Sequence, residues 1–152
     1  MKRRENSRKI MTNFPKDLSV GRHLILDAWQ IPVELLNDAE QIRLAMETAV
    51  EACEGTLIDF CLHSFSPHGV TAAAILAESH LAIHTWPEHG YLGADLFYCG
   101  RGNPRASMDS LVQSFQAGGH RVRELSRGLG DASDPSGWMQ HSEPADPSVP
   151  SG

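Results

Sequence analysis

The chain has 152 residues, of which 41% are hydrophobic and 21% are charged, and its formal net charge at pH 7 is −6. This length fits one domain with one core, and the acidic balance argues against a general nucleic-acid binder, which needs a basic surface against the phosphate backbone. No apolar run approaches the roughly 20 residues that span a bilayer, and no signal-peptide pattern follows the basic start, so we expect a cytoplasmic protein without membrane contact.

Charge divides the sequence into three segments. Residues 1–16 carry six bases and one acid, residues 17–127 carry seven bases and fourteen acids, and residues 128–152 carry four acids and no base. The last segment holds four of the nine prolines and few apolar residues, so burial cannot offset the entropy cost of ordering it. We expect a flexible basic extension over residues 1–19, one domain over residues 20–127 and a disordered acidic tail over residues 128–152.

The predicted elements run in the order strand, helix, four strands, helix and strand. Apolar residues at helical spacing predict a first helix that begins after the N-cap Asp38 and ends before Gly55. The same spacing predicts a second helix between Asn103 and Gly118, with Pro104 in its first turn. Short runs of apolar and β-branched residues, separated by Gly and Pro, predict strands at residues 22–28, 56–65, 70–77, 81–86, 91–98 and 120–125.

This order of elements predicts an α+β fold. We expect a two-layer sandwich in which a mostly antiparallel sheet carries both main helices on one face. The other face of such a sheet has no cover within one chain. A homodimer that stacks the two sheets would supply one, since most small oligomers are symmetric and use the same surface twice.

Histidines are concentrated in the middle of the chain, where five of the eight lie between residues 63 and 89. One hypothesis is a zinc site formed by His80, His84 and His89 together with Cys99. On one strand, however, the Cα atoms of His80 and His84 are about 13 Å apart at ~3.3 Å per residue, which is too far for one ion. The three cysteines form no CxxC pair either, so we expect neither a metal site nor a disulfide framework.

A second hypothesis is a serine hydrolase. Ser79 would be the nucleophile, His84 or His80 the base, and Asp95 the residue that orients the base. No G-x-S-x-G pattern surrounds Ser79, however. A third hypothesis is that the histidines are hydrogen-bonded structural residues, since an unpaired buried polar group costs about 1 to 3 kcal/mol.

One long string decides among these hypotheses. The run FSPHGVTAAAILAESHLAIHTWPEHGYLGADLFYCG, from Phe65 to Gly100, resembles the S-adenosylmethionine decarboxylases of the short bacterial and archaeal type. These pyruvoyl enzymes supply the aminopropyl donor for spermidine synthesis. The fragment AESHLAIHTWPEHGY carries the family's self-cleavage signature, and GRHLILDAW at residues 21–29 is similar to its first strand. The resemblance covers about residues 20–127.

The resemblance implies that the chain cleaves itself between Glu78 and Ser79. The Ser79 hydroxyl attacks the Glu78 carbonyl through a five-membered ring, and elimination of the resulting ester leaves a pyruvoyl group at residue 79 as the cofactor. His84 matches the family's processing base, and an imidazole suits proton removal at neutral pH. Thr71 stands where many relatives have Ser. Thr71 keeps the hydroxyl used in processing, and its additional methyl group is expected to slow the cleavage.

The resemblance also implies roles in catalysis and binding. The pyruvoyl carbonyl forms a Schiff base with the substrate amine, and Cys99 matches the proton donor, since a thiol is mostly protonated at pH 7. Glu88 matches the carboxylate that binds the ribose hydroxyls, and Phe65 matches an aromatic residue that stacks on adenine. Trp86 either contacts the substrate or packs in the sheet or the dimer interface. His68, His89 and His80, which follows the cleavage site, are left as structural.

The resemblance therefore predicts decarboxylation of S-adenosylmethionine by a homodimer of cleaved protomers, with two α and two β chains. Two alternatives stay open from the residues alone. The same pyruvoyl chemistry could act on a basic amino acid such as arginine or ornithine, or the chain could be a regulatory relative that does not process.

Overall fold

A computed structural model of the chain describes residues 19–128, which form one sheet and its helices. The strands are β1 (Gly21–Trp29), β2 (Leu57–Ser64), β3 (Val70–Leu76), β4 (Ser79–Trp86), β5 (Tyr91–Tyr98) and β6 (Gly119–Arg127). The helices are α1 (Val33–Leu36), α2 (Ala39–Ala52) and α3 (Pro104–Ser114), and a single 3-10 turn covers Pro87–His89. The expected basic extension before residue 19 and the expected acidic tail after residue 128 lie outside the described residues.

The sheet has the strand order β2-β3-β4-β5-β1-β6, and every pair of neighbours is antiparallel. The predicted α+β fold is thereby confirmed. The single turn α1 was not predicted, because four residues are too few to show a helical period. The sequence also placed the start of β4 at residue 81, whereas the strand begins at Ser79. No helix within residues 19–128 is long and apolar enough to cross a membrane.

Both long helices begin as their sequences predict. The Asp38 side chain accepts hydrogen bonds from the backbone N–H groups of Glu40 and Gln41, at 3.0 and 3.1 Å. Asn103 does the same for the N–H of Arg105, and Pro104 fills the first position of α3, where no N–H is needed. Such N-caps stabilise a helix by about 1 kcal/mol each and fix where it starts.

One face of the sheet is buried against the helices. The residues that β5 contributes to this core, each at most 6% exposed, are Leu92, Ala94, Leu96 and Tyr98. The stripe that α2 contributes is Ile42, Ala45, Met46, Ala49 and Val50. Burial of a Leu or Ile side chain stabilises the fold by roughly 1.5–3 kcal/mol, so the packing of α2 against the sheet is a main source of the stability of the fold.

The opposite face, here named the outer face, carries the side chains of Thr71, His84 and Asp95. None of the described helices covers it. Two large apolar side chains on this face stay exposed, since Ile75 and Leu125 are 52% and 42% accessible. They lie on β3 and β6, at well-separated places on this face of the sheet. The stacked homodimer that would cover the outer face stays a prediction.

Glu124 of β6 ties the helical layer to the sheet. Its carboxylate accepts a hydrogen bond from Arg22 of β1, and its Oε2 lies 3.0 Å from Nη2 of Arg105 on α3. The hydrogen bond from Arg22 is the main cause that holds the pKa of Glu124 below its ordinary value, and the charges of both arginines add to it. The carboxylate is therefore ionised near neutral pH and links three elements.

Glu124→Gln is expected to lower the free energy of unfolding at pH 7 by about 0.5 to 1 kcal/mol, a small effect because both arginines are partly exposed. The folded-state pKa of Glu124 is depressed, so its stabilising contribution is complete above the unfolded pKa of about 4.3 and is lost as pH falls through the folded pKa. Denaturant unfolding of both proteins between pH 7 and pH 2.5, each carrying Ser79→Ala, measures this. A difference that stays constant over that range would contradict the ion-pair account.

Candidate active site

Ser79 opens β4 directly after the two-residue turn that joins it to β3. Its φ is +136°, a value that side-chain-bearing residues rarely adopt and that costs of order 1–3 kcal/mol. The backbone of Ser79 is therefore strained at the peptide bond for which the sequence predicts cleavage. Strain of this kind persists only where the surrounding structure fixes it, and it is concentrated at functional sites.

The carbonyl group before Ser79 has a defined hydrogen-bond donor. The backbone N–H of Cys99, just past the end of β5, donates to the Glu78 carbonyl oxygen at 2.9 Å. A donor in this place polarises the carbonyl and stabilises the negative charge that develops on its oxygen during nucleophilic attack. Cys99 itself is exposed, so its thiol is accessible beside the turn.

Side chains also hold the residues on either side of Ser79. Glu78 accepts hydrogen bonds from Thr56, through the backbone N–H at 2.9 Å and the hydroxyl at 3.1 Å. The N–H bond is the main cause that lowers the pKa of Glu78. After Ser79, the Nε2 atom of His80 lies 2.8 Å from Oδ2 of Asp95 on β5.

A second group of predicted site residues lies at the other end of β4. His84 pairs with Thr71 across the β3/β4 ladder, and Oγ1 of Thr71 lies 2.9 Å from Nδ1 of His84. A cleft of about 280 Å³ opens beside this pair. The predicted binding residues that line it are Phe65, Trp86 and Glu88. The fold therefore brings together, at the Trp86 end of β4, five of the residues that the resemblance predicts for the site.

His68 also lines the cleft, and its Nε2 atom lies 3.1 Å from Oε2 of Glu88. The segment that carries Phe65 and His68 is fastened at both ends. The Phe65 N–H donates to the Gly69 carbonyl at 2.8 Å, and the Gly69 N–H donates to Oδ1 of Asn37 at 3.0 Å. The cleft therefore brings together the Glu88 carboxylate, the Phe65 ring and the His68 imidazole, and hydrogen bonds of the backbone fix the segment that carries Phe65 and His68.

Within one chain the two groups are far apart. Ser79 pairs with Leu76 and His84 with Thr71 in the same ladder, so the two residues are five steps apart along a regular strand. At ~3.3 Å per residue, the Cα atoms of Ser79 and His84 are about 17 Å apart. His84 of a chain therefore cannot act on Ser79 of the same chain in this fold.

A third cluster lies between the two groups on the outer face. Asp95 Oδ2 is 2.9 Å from Nε2 of His23 as well as 2.8 Å from Nε2 of His80, and Arg127 donates to Nδ1 of His23 at 2.8 Å. Burial pushes the pKa of Asp95 upward, but the hydrogen bonds from His23 and His80 outweigh it, so the pKa lies below its ordinary value.

This cluster bears on both alternative hypotheses from the sequence. His80 and His84 lie on one regular strand, so the zinc site of His80, His84, His89 and Cys99 does not assemble. Asp95 hydrogen-bonds His80, as the hydrolase hypothesis expected, but among the described residues no hydrogen bond joins His80 to the Ser79 hydroxyl, and His84 is remote from Ser79. The structure therefore brings together neither the four zinc ligands nor the serine, the base and the acid of a hydrolase.

Two residues near Ser79 escaped the sequence analysis. Thr56 precedes a strand and gave no signal of its own, because its contact with Glu78 joins positions 22 residues apart. His23 lies in the first strand, where a polar residue among Leu and Ile was the only available sign. Both contacts depend on the strand register, which the sequence pattern does not specify.

Comparisons with known proteins give one answer. The family model described as S-adenosylmethionine decarboxylase matches residues 22–128. Proteins named S-adenosylmethionine decarboxylase proenzyme are similar to this chain. The one from Brevibacillus brevis is 40% identical over 112 residues, which cover 73% of this chain and 84% of that protein. The one from Methanococcus maripaludis strain C7 is 48% identical over 111 residues, which cover 72% and 91%.

A solved structure is similar as well. The crystal structure of the adenosylmethionine decarboxylase from Aquifex aeolicus superimposes with a TM-score of 0.69 at 30% sequence identity. The match covers 76% of this chain and 97% of that one.

Proposed function

The chain belongs to the S-adenosylmethionine decarboxylase family, and from that membership we propose that it cleaves itself between Glu78 and Ser79 and then decarboxylates S-adenosylmethionine. The observation that supports the proposal most directly is the strained backbone of Ser79. It follows the Glu78 carbonyl group, whose oxygen accepts a hydrogen bond from the N–H of Cys99. The relatives are named proenzymes, which agrees with a chain that must be processed before it acts.

The self-cleavage is a chemistry of this chain's own atoms. The Ser79 hydroxyl oxygen bonds to the Glu78 carbonyl carbon, the C–N bond breaks, and the freed amine takes up the hydroxyl proton. A base then removes the Cα proton of Ser79, and the Glu78 carboxylate leaves. The enamine that remains takes up a proton at Cβ to become an imine, and water then replaces the imine nitrogen, which departs as ammonia and leaves the ketone. Because attacking and attacked groups are neighbours in one chain, the first step has a very high effective concentration.

The residues around Ser79 fit a pyruvoyl group. The strained φ and the Cys99 N–H favour attack on the Glu78 carbonyl, and the exposed Cys99 thiol is the proton source in this proposal. A pyruvoyl group supplies a carbonyl that binds the substrate amine and accepts the electrons released with carbon dioxide. Cys99 then holds the proton that replaces the carboxylate on the substrate Cα.

The base for the self-cleavage comes, in this proposal, from a second copy of the chain. The processing pair His84 and Thr71 lies on the outer face, about 17 Å from Ser79 of the same chain at ~3.3 Å per residue. A two-fold axis that lies between the two stacked faces, level with the middle of β4 and perpendicular to it, brings each end of β4 opposite the other end of the partner's β4. Stacking two outer faces in this way places His84 of one protomer beside Ser79 of its partner, and it also buries the exposed Ile75 and Leu125.

Substrate binding falls to the cleft beside His84. Glu88 offers two carboxylate oxygens to the vicinal hydroxyls of a ribose, and Phe65 offers a ring face, 51% exposed, to adenine and to the sulfonium cation. Trp86 lines the same cleft and lies within 6.2 Å of the His84 ring, so it completes the aromatic wall. This wall favours a nucleoside over the side chain of a basic amino acid.

Intact mass measures the self-cleavage directly. Purified protein is expected as two pieces, residues 1–78 and 79–152, and the second piece should carry a ketone that borohydride or hydroxylamine traps. Ser79→Ala should stay as one chain, because it has no hydroxyl to attack the Glu78 carbonyl. A wild-type chain that stays whole through prolonged incubation would show a relative that does not process.

The substrate is tested by release of carbon dioxide from S-adenosylmethionine, arginine and ornithine, each offered to the cleaved protein. Activity is expected on S-adenosylmethionine alone, and Glu88→Gln should raise its KM about tenfold or more while changing kcat little, since loss of a charged acceptor costs about 1.5 kcal/mol or more. Glu47→Gln, an exposed carboxylate on α2, is the matched control. Release from arginine or ornithine without release from S-adenosylmethionine would refute the substrate assignment.

A further inference from the structure

The residues on both sides of the Glu78–Ser79 bond are held by hydrogen bonds to residues that take no part in the proposed self-cleavage. These two sets of hydrogen bonds are here named the upstream clamp and the downstream clamp. On the upstream side, Thr56 binds the Glu78 carboxylate. On the downstream side, Asp95 binds His80. The two clamps lie on opposite sides of the one strained residue that separates them, Ser79.

The upstream clamp fastens the β3/β4 turn to the start of β2. Thr56 donates twice to Glu78, at 2.9 and 3.1 Å, and its own carbonyl accepts the N–H of Ala77 at 2.9 Å. Both residues of the turn are thus bound to one residue. The Thr56 N–H also lowers the pKa of Glu78, so the carboxylate is charged at neutral pH and its hydrogen bonds are the stronger, charge-assisted kind.

The downstream clamp fastens the first residues of β4 to three other strands. An arginine can only donate, so the bond from Arg127 of β6 makes Nδ1 of His23 the acceptor. The proton of the neutral His23 ring is then on Nε2 and is donated to Asp95. Asp95 in turn accepts from His80. With its proton on Nε2, His23 has no lone pair there for a metal ion, and Oδ2 of Asp95 already accepts two hydrogen bonds. The cluster is therefore held by hydrogen bonds.

A residue at φ +136° relaxes toward an ordinary conformation unless both of its neighbours are fixed. On the premise of the proposed self-cleavage, we propose that Thr56 and Asp95 are positioning residues for it. They hold Glu78 and His80 in place, and Ser79 thereby keeps the backbone from which its hydroxyl reaches the Glu78 carbonyl. Neither residue exchanges a proton with the reacting atoms.

The rate of self-cleavage tests this inference without any measurement of decarboxylation. Full-length chain is made by cell-free translation, synthesis is stopped, and intact mass is followed with time. Thr56→Val removes one neutral donor and should slow cleavage about threefold, whereas Asp95→Asn removes a charged acceptor and should slow it about tenfold. Thr56→Ser keeps the hydroxyl and should cleave at the wild-type rate. The double variant should be slower by about the product of the two factors.

Glu124→Gln is the matched control, because it breaks ion pairs of β6 without touching either clamp. It should cleave at the wild-type rate, and a comparable slowing there would assign the effect to general destabilisation and overturn the inference. Wild-type rates for Thr56→Val and Asp95→Asn would overturn it too. If Asp95→Asn does not fold, Thr56→Val against Thr56→Ser decides, since Thr56 is exposed. A wild-type chain that never cleaves would overturn the proposed function itself, and this inference with it.

Discussion

The backbone of Ser79 is the constraint around which the rest of the site is organised. A φ of +136° at a residue with a side chain is maintained by a two-residue turn, by the register of β3, β4 and β5, and by the bond from the Cys99 N–H to the Glu78 carbonyl. Each of these depends on the buried face of the sheet, because the ladder is rigid only while α2 and α3 pack against it. The core thus fixes the geometry of a single peptide bond.

A regular strand imposes a second constraint, which is distance. β4 is paired with β5 from Ser79 to Trp86 and with β3 from Ser79 to His84, so the Ser79 end and the cleft end cannot fold toward each other. A flexible loop could have closed this gap within one chain. In the proposed dimer, a second outer face laid on the first closes this gap by symmetry. The exposed apolar side chains of that face and the separation of the site residues therefore have one common explanation.

The sequence was sufficient for the parts of the structure that local chemistry decides. Asp38 and Pro104 marked the starts of the two long helices, and the apolar runs between Gly and Pro predicted all six strands. The sequence did not predict which side chains contact each other between strands. The links of Asp95 to His23 and His80 join positions 72 and 15 residues apart, and they follow from register, which a single sequence does not specify. The family resemblance predicted roles for Ser79 and His84 but not their separation within one chain.

The central claim is that Ser79 of one protomer is processed with His84 of the other, and a mixed dimer tests it most directly. Ser79→Ala and His84→Ala chains with different affinity tags are co-produced, and dimers with both tags are isolated. Each variant alone should stay whole, whereas in the mixed dimer the His84→Ala chain should be cut after Glu78, because its intact Ser79 meets the partner's intact imidazole. A His84→Ala chain that stays whole in the mixed dimer, or that is cut when alone, would contradict the account, as would failure of the two chains to associate.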